Sequence, residues 1–351
     1  MSRGTVLFAW RRTPPPFFIG GAEVSQRLLA EELTAAGWTV IYLGAHHSPW
    51  NTNELPGMLQ HLRASSDPLA LSPRTQTLRY TWNGIHCHAV PQDAIEQTLK
   101  ILLQQHCPDL VVCSQEGAAD LARRAGEMAP VAGWVHAVSK TSTAVLDGNP
   151  RHVLATSAFT ASRLPSPSTR PVLFYPPFRL PSPGGPLDVW NGDLLMVNPV
   201  PAKGADLVRK LIEKLPDRHF TLVEGWWDTS DDFNAYPNVT YLPQTEDLDP
   251  IYVGHRLLLV PSICEDAFPR VITEAALQRL PALGSRIGGI PESIRDDDRT
   301  LPPNDLAAWT DAITVAGRGS AHELGSAAYA RALRLSRPCI PELIAEGVLP
   351  G

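Results

Sequence analysis

Nowhere in this chain of 351 residues does an apolar run approach the roughly 18 residues that a bilayer-spanning helix needs. That argues against a transmembrane segment. Cysteine is scarce: five residues, at positions 87, 107, 113, 264 and 339, form an odd set with no C-x-x-C pair. Neither a disulfide framework nor a zinc site is legible, and reduced thiols in a cytoplasmic protein are the expectation. An excess of cations is also missing. A net charge of −6 argues against a general nucleic-acid binder and leaves small molecules as the expected partners. Arg11-Arg12 lacks the apolar stretch of an export signal, since Pro14-Pro15-Pro16 follows, so the N-terminus is expected to be retained. Without such a signal, Asn238-Val239-Thr240 is not expected to be glycosylated. What is present is ordinary globular composition, 44% hydrophobic and 19% charged, in a chain long enough for two cores.

Periodicity then gives a βα alternation. Thr5 to Trp10 reads as a strand, Ala22 to Ala36 as a helix stopped by Gly37, and Thr39 to Leu43 as a strand. Leu78 to Trp82 and Ile85 to Val90 flank Asn83-Gly84, a strong hairpin signal. Asp93 to Gln105 and Ala118 to Glu127 read as helices, with strands at Leu110 to Cys113 and Val131 to Val135. Pro, Ser and Gly crowd 165–186, around a brief strand-like Val172 to Tyr175, and mark a linker. A second series follows, with strands at 194–197, 220–223, 239–242, 257–260 and 282–285, and helices at 203–215 and 270–280. From His322 the pattern is helical, broken at Pro338 and Pro341. Alternation of this kind implies two doubly wound, Rossmann-like α/β halves with mostly parallel sheets.

Within the second half, Asp266 and Glu274 stand eight residues apart across Phe268 and a helix start at Pro269, where proline's missing N–H costs nothing. Val271, Ala275 and Gln278 share one face of that helix. Carboxylates so placed can grip two ends of a ligand whose phosphates lie at the helix N-terminus. His136 ends a strand at the edge where α/β folds place ligands. Ser114-Gln115-Glu116 ends the neighbouring strand in the same way. Gly20-Gly21 lets the backbone approach a ligand closely before the first helix, or is merely a turn. Lys203 between a strand and a helix is a point charge suited to a diphosphate. His46-His47 and His86-Cys87-His88 look like metal pairs, but no third ligand is in view and solvent-side histidines are expected.

The stretch from Asp266 to Glu274 resembles the E-x7-E signature of family 4 retaining glycosyltransferases (glycosyl transferases group 1), usually E-x-F-G-x-x-x-x-E, with Pro269 in the glycine's place; one of Glu265 and Asp266 should face the site, and the family register selects Asp266. Asn198 to Gly204 is similar to the family's G-R-x-x-x-x-K-G segment, with Lys203 and Gly204 in register and Asn198 where arginine is usual. Arg286 to Glu292 resembles its G-G-x-P-E turn.

The resemblance implies a GT-B fold: two Rossmann-like domains facing across a cleft, residues 1–175 on the acceptor side and 187–320 binding the nucleotide sugar. Residues 321–351 would form a helical segment crossing back to the first. It further implies retaining transfer of a sugar from a nucleoside diphosphate sugar to a hydroxyl on a glycan, a lipid-linked acceptor or a small molecule, with no metal and no cofactor besides that co-substrate. His136, Asp266 and Lys203 would be catalytic. Gly20, Gly21, Asn198, Lys203, Gly204, Phe268, Pro269, Arg270, Val271 and Glu274 would hold the donor, and Glu116 is a candidate acceptor contact. Two rivals remain open at this level. A nucleotide-sugar 2-epimerase would turn over donor without an acceptor, and a non-catalytic nucleotide-sugar binder, prompted by Asn198 and Pro269, would bind without turnover.

Overall fold

The computed structural model describes residues 3–17, 20–46, 62–63, 69–72, 74–165, 170–181, 193–225, 231–245, 247–316 and 321–351. The chain forms two compact units, residues 1–177 with 338–351, and residues 178–337.

In the first unit, strand β1 (Thr5–Trp10) is apolar from Val6 onward because both of its faces are covered. Val6, Phe8 and Trp10 enter one core while Leu7 and Ala9 enter the other, all fully buried. Eight further strands are β2 (Thr39–His46), β3 (Leu69–Ser72), β4 (Thr77–Trp82), β5 (Ile85–Pro91), β6 (Leu110–Cys113), β7 (Val131–Val135), β8 (His152–Ala155) and β9 (Val172–Leu173). They complete a sheet of order β3-β4-β5-β2-β1-β6-β7-β8-β9. Its ladders are parallel except β3–β4 and β4–β5. The two-residue turn of β4–β5 is Asn83-Gly84 with φ of 48° and 79°, the mirror-image turn that suits a hairpin's twist. Helix α1 (Gly21–Ala35) packs Leu29 and Leu33 on the Phe8 side. On the opposite face lie α2 (Ile95–His106), through Leu99 and Leu102, and α3 (Ala118–Gly126), through Leu121. Short helices α4 (Lys140–Thr143) and α5 (Ala158–Arg163) follow β7 and β8.

The second unit has six strands, all parallel: β10 (Leu194–Val197), β11 (Phe220–Val223), β12 (Val239–Leu242), β13 (Leu257–Val260), β14 (Ala282–Ser285) and β15 (Thr300–Leu301). Their order is β12-β11-β10-β13-β14-β15. Helices α6 (Ala205–Lys214), α7 (Asp249–Tyr252), α8 (Arg270–Leu277), α9 (Ile290–Ile294), α10 (Leu306–Ala316) and α11 (Ala321–Leu335) connect or flank them. Leu194 and Met196 pack beneath α6 and Trp309 of α10, and Leu195 beneath Ile272 of α8 and Ile294 of α9. Strand order reverses between β10 and β13 here, and between β1 and β6 in the first unit. Open α/β sheets bind ligands beyond the carboxyl ends of the strands at such a reversal.

Several boundaries differ from the sequence reading. The segment 321–351 divides at Pro338: α11 sets Ala328 and Ala332 against Ala276 and Leu277 of α8, whereas α12 (Cys339–Ala345) buries Ile340 and Leu343 in the first unit. Pro341 does not break that helix, because it lies in the first turn where no intrahelical N–H is required. The helix expected from Lys203 begins at Ala205, since Pro201–Lys203 is a 3-10 turn and Gly204 has φ of 89°. The helix expected to reach Leu280 ends at Leu277, where Arg279 turns left-handed with φ of 61° ahead of Pro281. Pro269 is the N-cap of α8 and not its first turn. His46 is buried and its Nε2 lies 2.9 Å from the Gln76 carbonyl, so it is not a solvent-side histidine. His86 is exposed and His88 half-buried, while His47 and residues 166–169 and 182–186 of the expected linker lie outside the described residues.

Candidate active site

In the second unit the chain leaving β10 turns at Asn198, left-handed with φ of 61°, and reaches Lys203 within the 3-10 turn. Gly204 is required there on two counts: φ is 89°, and a Cβ would run into the carbonyl oxygen of Pro261 just beyond β13. This close approach lays the loop after β10 against the loop after β13, across the strand-order reversal. Lys203 Nζ consequently forms an ion pair with Asp266 Oδ1, both side chains being partly buried. Asp266 Oδ2 is buried and has no hydrogen-bond partner among the described residues. Glu265, its neighbour, is exposed. From the other side the turn after β14 supports the acidic loop: Gly289 N–H donates to the Asp266 carbonyl at 2.6 Å, and a Cβ on Gly288 (φ 59°) would stand 2.6 Å from that oxygen. Burial pushes the Cys264 thiol up, with the Asp266 carboxylate contributing and Lys203 opposing.

Eight residues beyond Asp266, Glu274 is clamped at both oxygens. Arg270 Nε donates to Oε1 at 2.9 Å, and the Tyr252 hydroxyl donates to Oε2 at 3.4 Å. Burial pushes the Tyr252 phenol well above its usual value, and the Glu274 charge adds to this, so it remains a proton donor. Arg270 is itself buried, its guanidinium 4.4 Å from the Phe178 ring centroid, and Phe268 packs on the same ring at 6.2 Å. These two side chains therefore brace α8 from behind, and Val271 is half-buried beside them. Arg286, a candidate for the cation missing at Asn198, donates to the Thr300 carbonyl at 2.7 Å. The Asn198 side chain occupies the space that a Cβ on Gly225 would need.

The first unit builds a matching arrangement at its own reversal. Arg12, just past β1, takes Glu116, just past β6, in a two-pronged contact, with Nε donating at 3.0 Å, and its third arm reaches Glu23 of α1. Burial alone would lower the Arg12 pKa, but Glu116 and Glu23 outweigh it and raise it. Glu23 is buried in the first turn of α1, which Gly20 caps with extended backbone and Gly21 opens. Behind it Tyr42 donates to Gln26 at 3.1 Å, and Gln26 donates to Ser114, all buried. His136 follows β7 with its ring 4.3 Å from that of Trp134; Ser142 Oγ accepts from the backbone N–H of His136 at 3.1 Å and of Ala137 at 3.0 Å.

The structure thus brings Lys203, Gly204 and Asp266 together and holds Glu274 on the adjacent helix, but commits Glu116, Arg270 and Phe268 to internal contacts. Sequence reasoning missed Arg12, Glu23, Gln26, Tyr252 and Ser142. Arg12 carried a signal, a cation directly after the first strand, that was read only as half of an export motif. Among the described residues no cluster of three or more His, Cys, Asp or Glu side chains could hold a metal, and no helix is long and apolar enough to cross a membrane.

Residues 194–316 match the family described as Glycosyl transferases group 1. A D-inositol 3-phosphate glycosyltransferase of Mycobacterium sp. (strain KMS) is 28% identical over 137 residues, which cover 34% of this chain and 31% of that one. The chain therefore spans about a third of the length of the curated relatives it matches. Among solved structures, a glycosyltransferase from Rickettsia africae ESF-5 superposes with a TM-score of 0.73 at 15% identity, covering 99% of this chain and 97% of that one. Anabaena Alr3699/HepE, in complex with UDP and glucose, gives 0.72 at 16% identity and 99% coverage of both chains. The fold is GT-B, as in these glycosyltransferases.

Proposed function

We propose that this chain is a glycosyltransferase that moves a sugar from a nucleoside diphosphate sugar to a hydroxyl acceptor with retention of anomeric configuration. The observation that carries the reading is the Lys203–Asp266 pair at the strand-order reversal, with Glu274 fixed eight residues beyond Asp266, inside the segment that matches Glycosyl transferases group 1. UDP and glucose in the Anabaena structure give the ligand class its precedent.

In this reading Lys203 exchanges Asp266 for the donor diphosphate and stabilises the charge that grows on the leaving group. Asp266, released, accepts hydroxyls of the sugar. Arg270 and Tyr252 hold the Glu274 carboxylate so that its remaining lone pairs face the ribose. No side chain is assigned as a nucleophile, and the reaction needs neither a metal nor a further cofactor.

Calorimetric titration with UDP, GDP and ADP tests binding, and NMR of the anomeric proton of the transferred sugar tests stereochemistry. One nucleoside diphosphate should bind, and Glu274→Ala should weaken it by about 1.5–3 kcal/mol, the worth of hydrogen bonds to a charged group. The reading fails if none of the three binds, or if the product anomer is inverted relative to the donor.

A further inference from the structure

Behind α8, on the side turned about 100° from Glu274, the second unit contains a small pocket that opens to solvent. Four elements converge on it, through Thr273 of α8, Ser293 of α9, Arg299 and Arg331 of α11, over walls of alanine and isoleucine. Three of these side chains have polar atoms that are buried with no hydrogen-bond partner among the described residues: Thr273 Oγ1, Arg299 Nη1 and Arg331 Nε. Thr273 is 1% exposed and Arg299 8%. Such groups are costly when unsatisfied, a guanidinium most of all. The nearby acid does not answer them: Asp296 Oδ2 stands 3.7 Å from Arg299 and 3.6 Å from Arg331, beyond hydrogen-bond length, and one carboxylate is shared between two cations. Burial lowers the Arg299 pKa, Asp296 offsets this in part, and Arg331 lowers it further, the signature of a cation facing a like charge.

A water could accept these protons but could not balance the charge. Planar donors and a hydroxyl aimed from different helices suit an anion with several oxygens better than a spherical halide. We propose that this pocket binds a small tetrahedral oxyanion of the phosphate class. Bound there, the ion fastens α11 to α8 and to the 3-10 turn 297–299 after α9 through Arg331, Thr273 and Arg299, and it is separate from the Lys203 site beyond the carboxyl ends of the strands.

The test is calorimetric titration of the full chain with inorganic phosphate at constant ionic strength, in the wild type and in Lys203→Ala, with chloride as competitor. Saturable binding should persist in Lys203→Ala, resist chloride, weaken about tenfold or more in Arg331→Gln and weaken severalfold in Thr273→Val. If Arg331→Gln does not fold, Thr273→Val, which preserves shape, decides by the same criterion. No saturable binding, equal displacement by chloride, or affinity lost in Lys203→Ala but unchanged in the pocket variants would each overturn the assignment.

Discussion

Lys203 and Asp266 neutralise each other in the absence of ligand, so a diphosphate must compete with a carboxylate for the same ammonium group. Asp266→Asn removes that competition. It should tighten nucleoside diphosphate binding severalfold, in keeping with the modest worth of a partly exposed ion pair, while slowing transfer because the sugar loses an acceptor. Lys203→Ala should lower the transfer rate by about 100-fold or more, since its charge is needed most in the transition state. Rates near wild type in Lys203→Ala would remove the lysine from the diphosphate. His88 offers a second residue-scale test, unconnected with catalysis. Burial, reinforced by Arg79, His106 and His86, lowers its pKa to about 4. The folded state therefore binds a proton less readily than the unfolded chain, whose histidine titrates near 6.5. Stability is fully expressed above about pH 6.5 and falls as pH drops toward 4, by about 2–3 kcal/mol. Urea denaturation of wild type and His88→Gln at pH 7 and pH 4.5 should show a smaller pH effect in the variant.

At the scale of elements, an acid from α1 caps α12. Glu32 Oε1 of α1 accepts from the N–H groups of Cys339 at 2.6 Å and Ile340 at 3.1 Å, placing a carboxylate at the N-terminus of α12. Glu32→Ala should cost about 1–2 kcal/mol, as loss of a cap does, whereas Glu32→Gln should cost less because it keeps an acceptor. Amide hydrogen exchange at 339–345 reads the effect directly, and unchanged protection there would refute it. The elements also show what was legible beforehand. Strands such as Leu110–Cys113 and Leu257–Val260 match the sequence reading residue for residue, because a parallel strand covered on both faces is written as an uninterrupted apolar run. β8 opens on a histidine and β15 pairs through only two residues, too little pattern to register. Helix ends were misjudged where a positive φ decided them, at Gly204 and Arg279. The site follows the same division. Lys203, Asp266 and Glu274 stand in a local spacing that sequence displays, whereas Tyr252 reaches Glu274 and Arg12 reaches Glu116 only once strands distant in sequence lie side by side.

For the whole molecule, each unit has its own cores, two in the first and three in the second, and the second unit is continuous in sequence while the first is not. Ending the chain at Arg337 would strip Ile340, Leu343, Val348 and Leu349 from the first unit's core. Each buried aliphatic side chain contributes about 1.5–3 kcal/mol. Calorimetry of the shortened chain should show the first unit melting far lower, with the transition of the second little changed; equal shifts in both would argue against separate cores. Synthesis imposes an order on the same topology. The ribosome delivers residues 1–177 first, yet α12 cannot dock on α1 until residues 178–337 have also been made, a delay of roughly 10–30 s at about 5–20 residues per second. During that interval the α12-binding face of α1 lacks that cover, so the nascent first unit is a substrate for chaperones and for premature association with other chains, while the second unit can complete itself as it emerges.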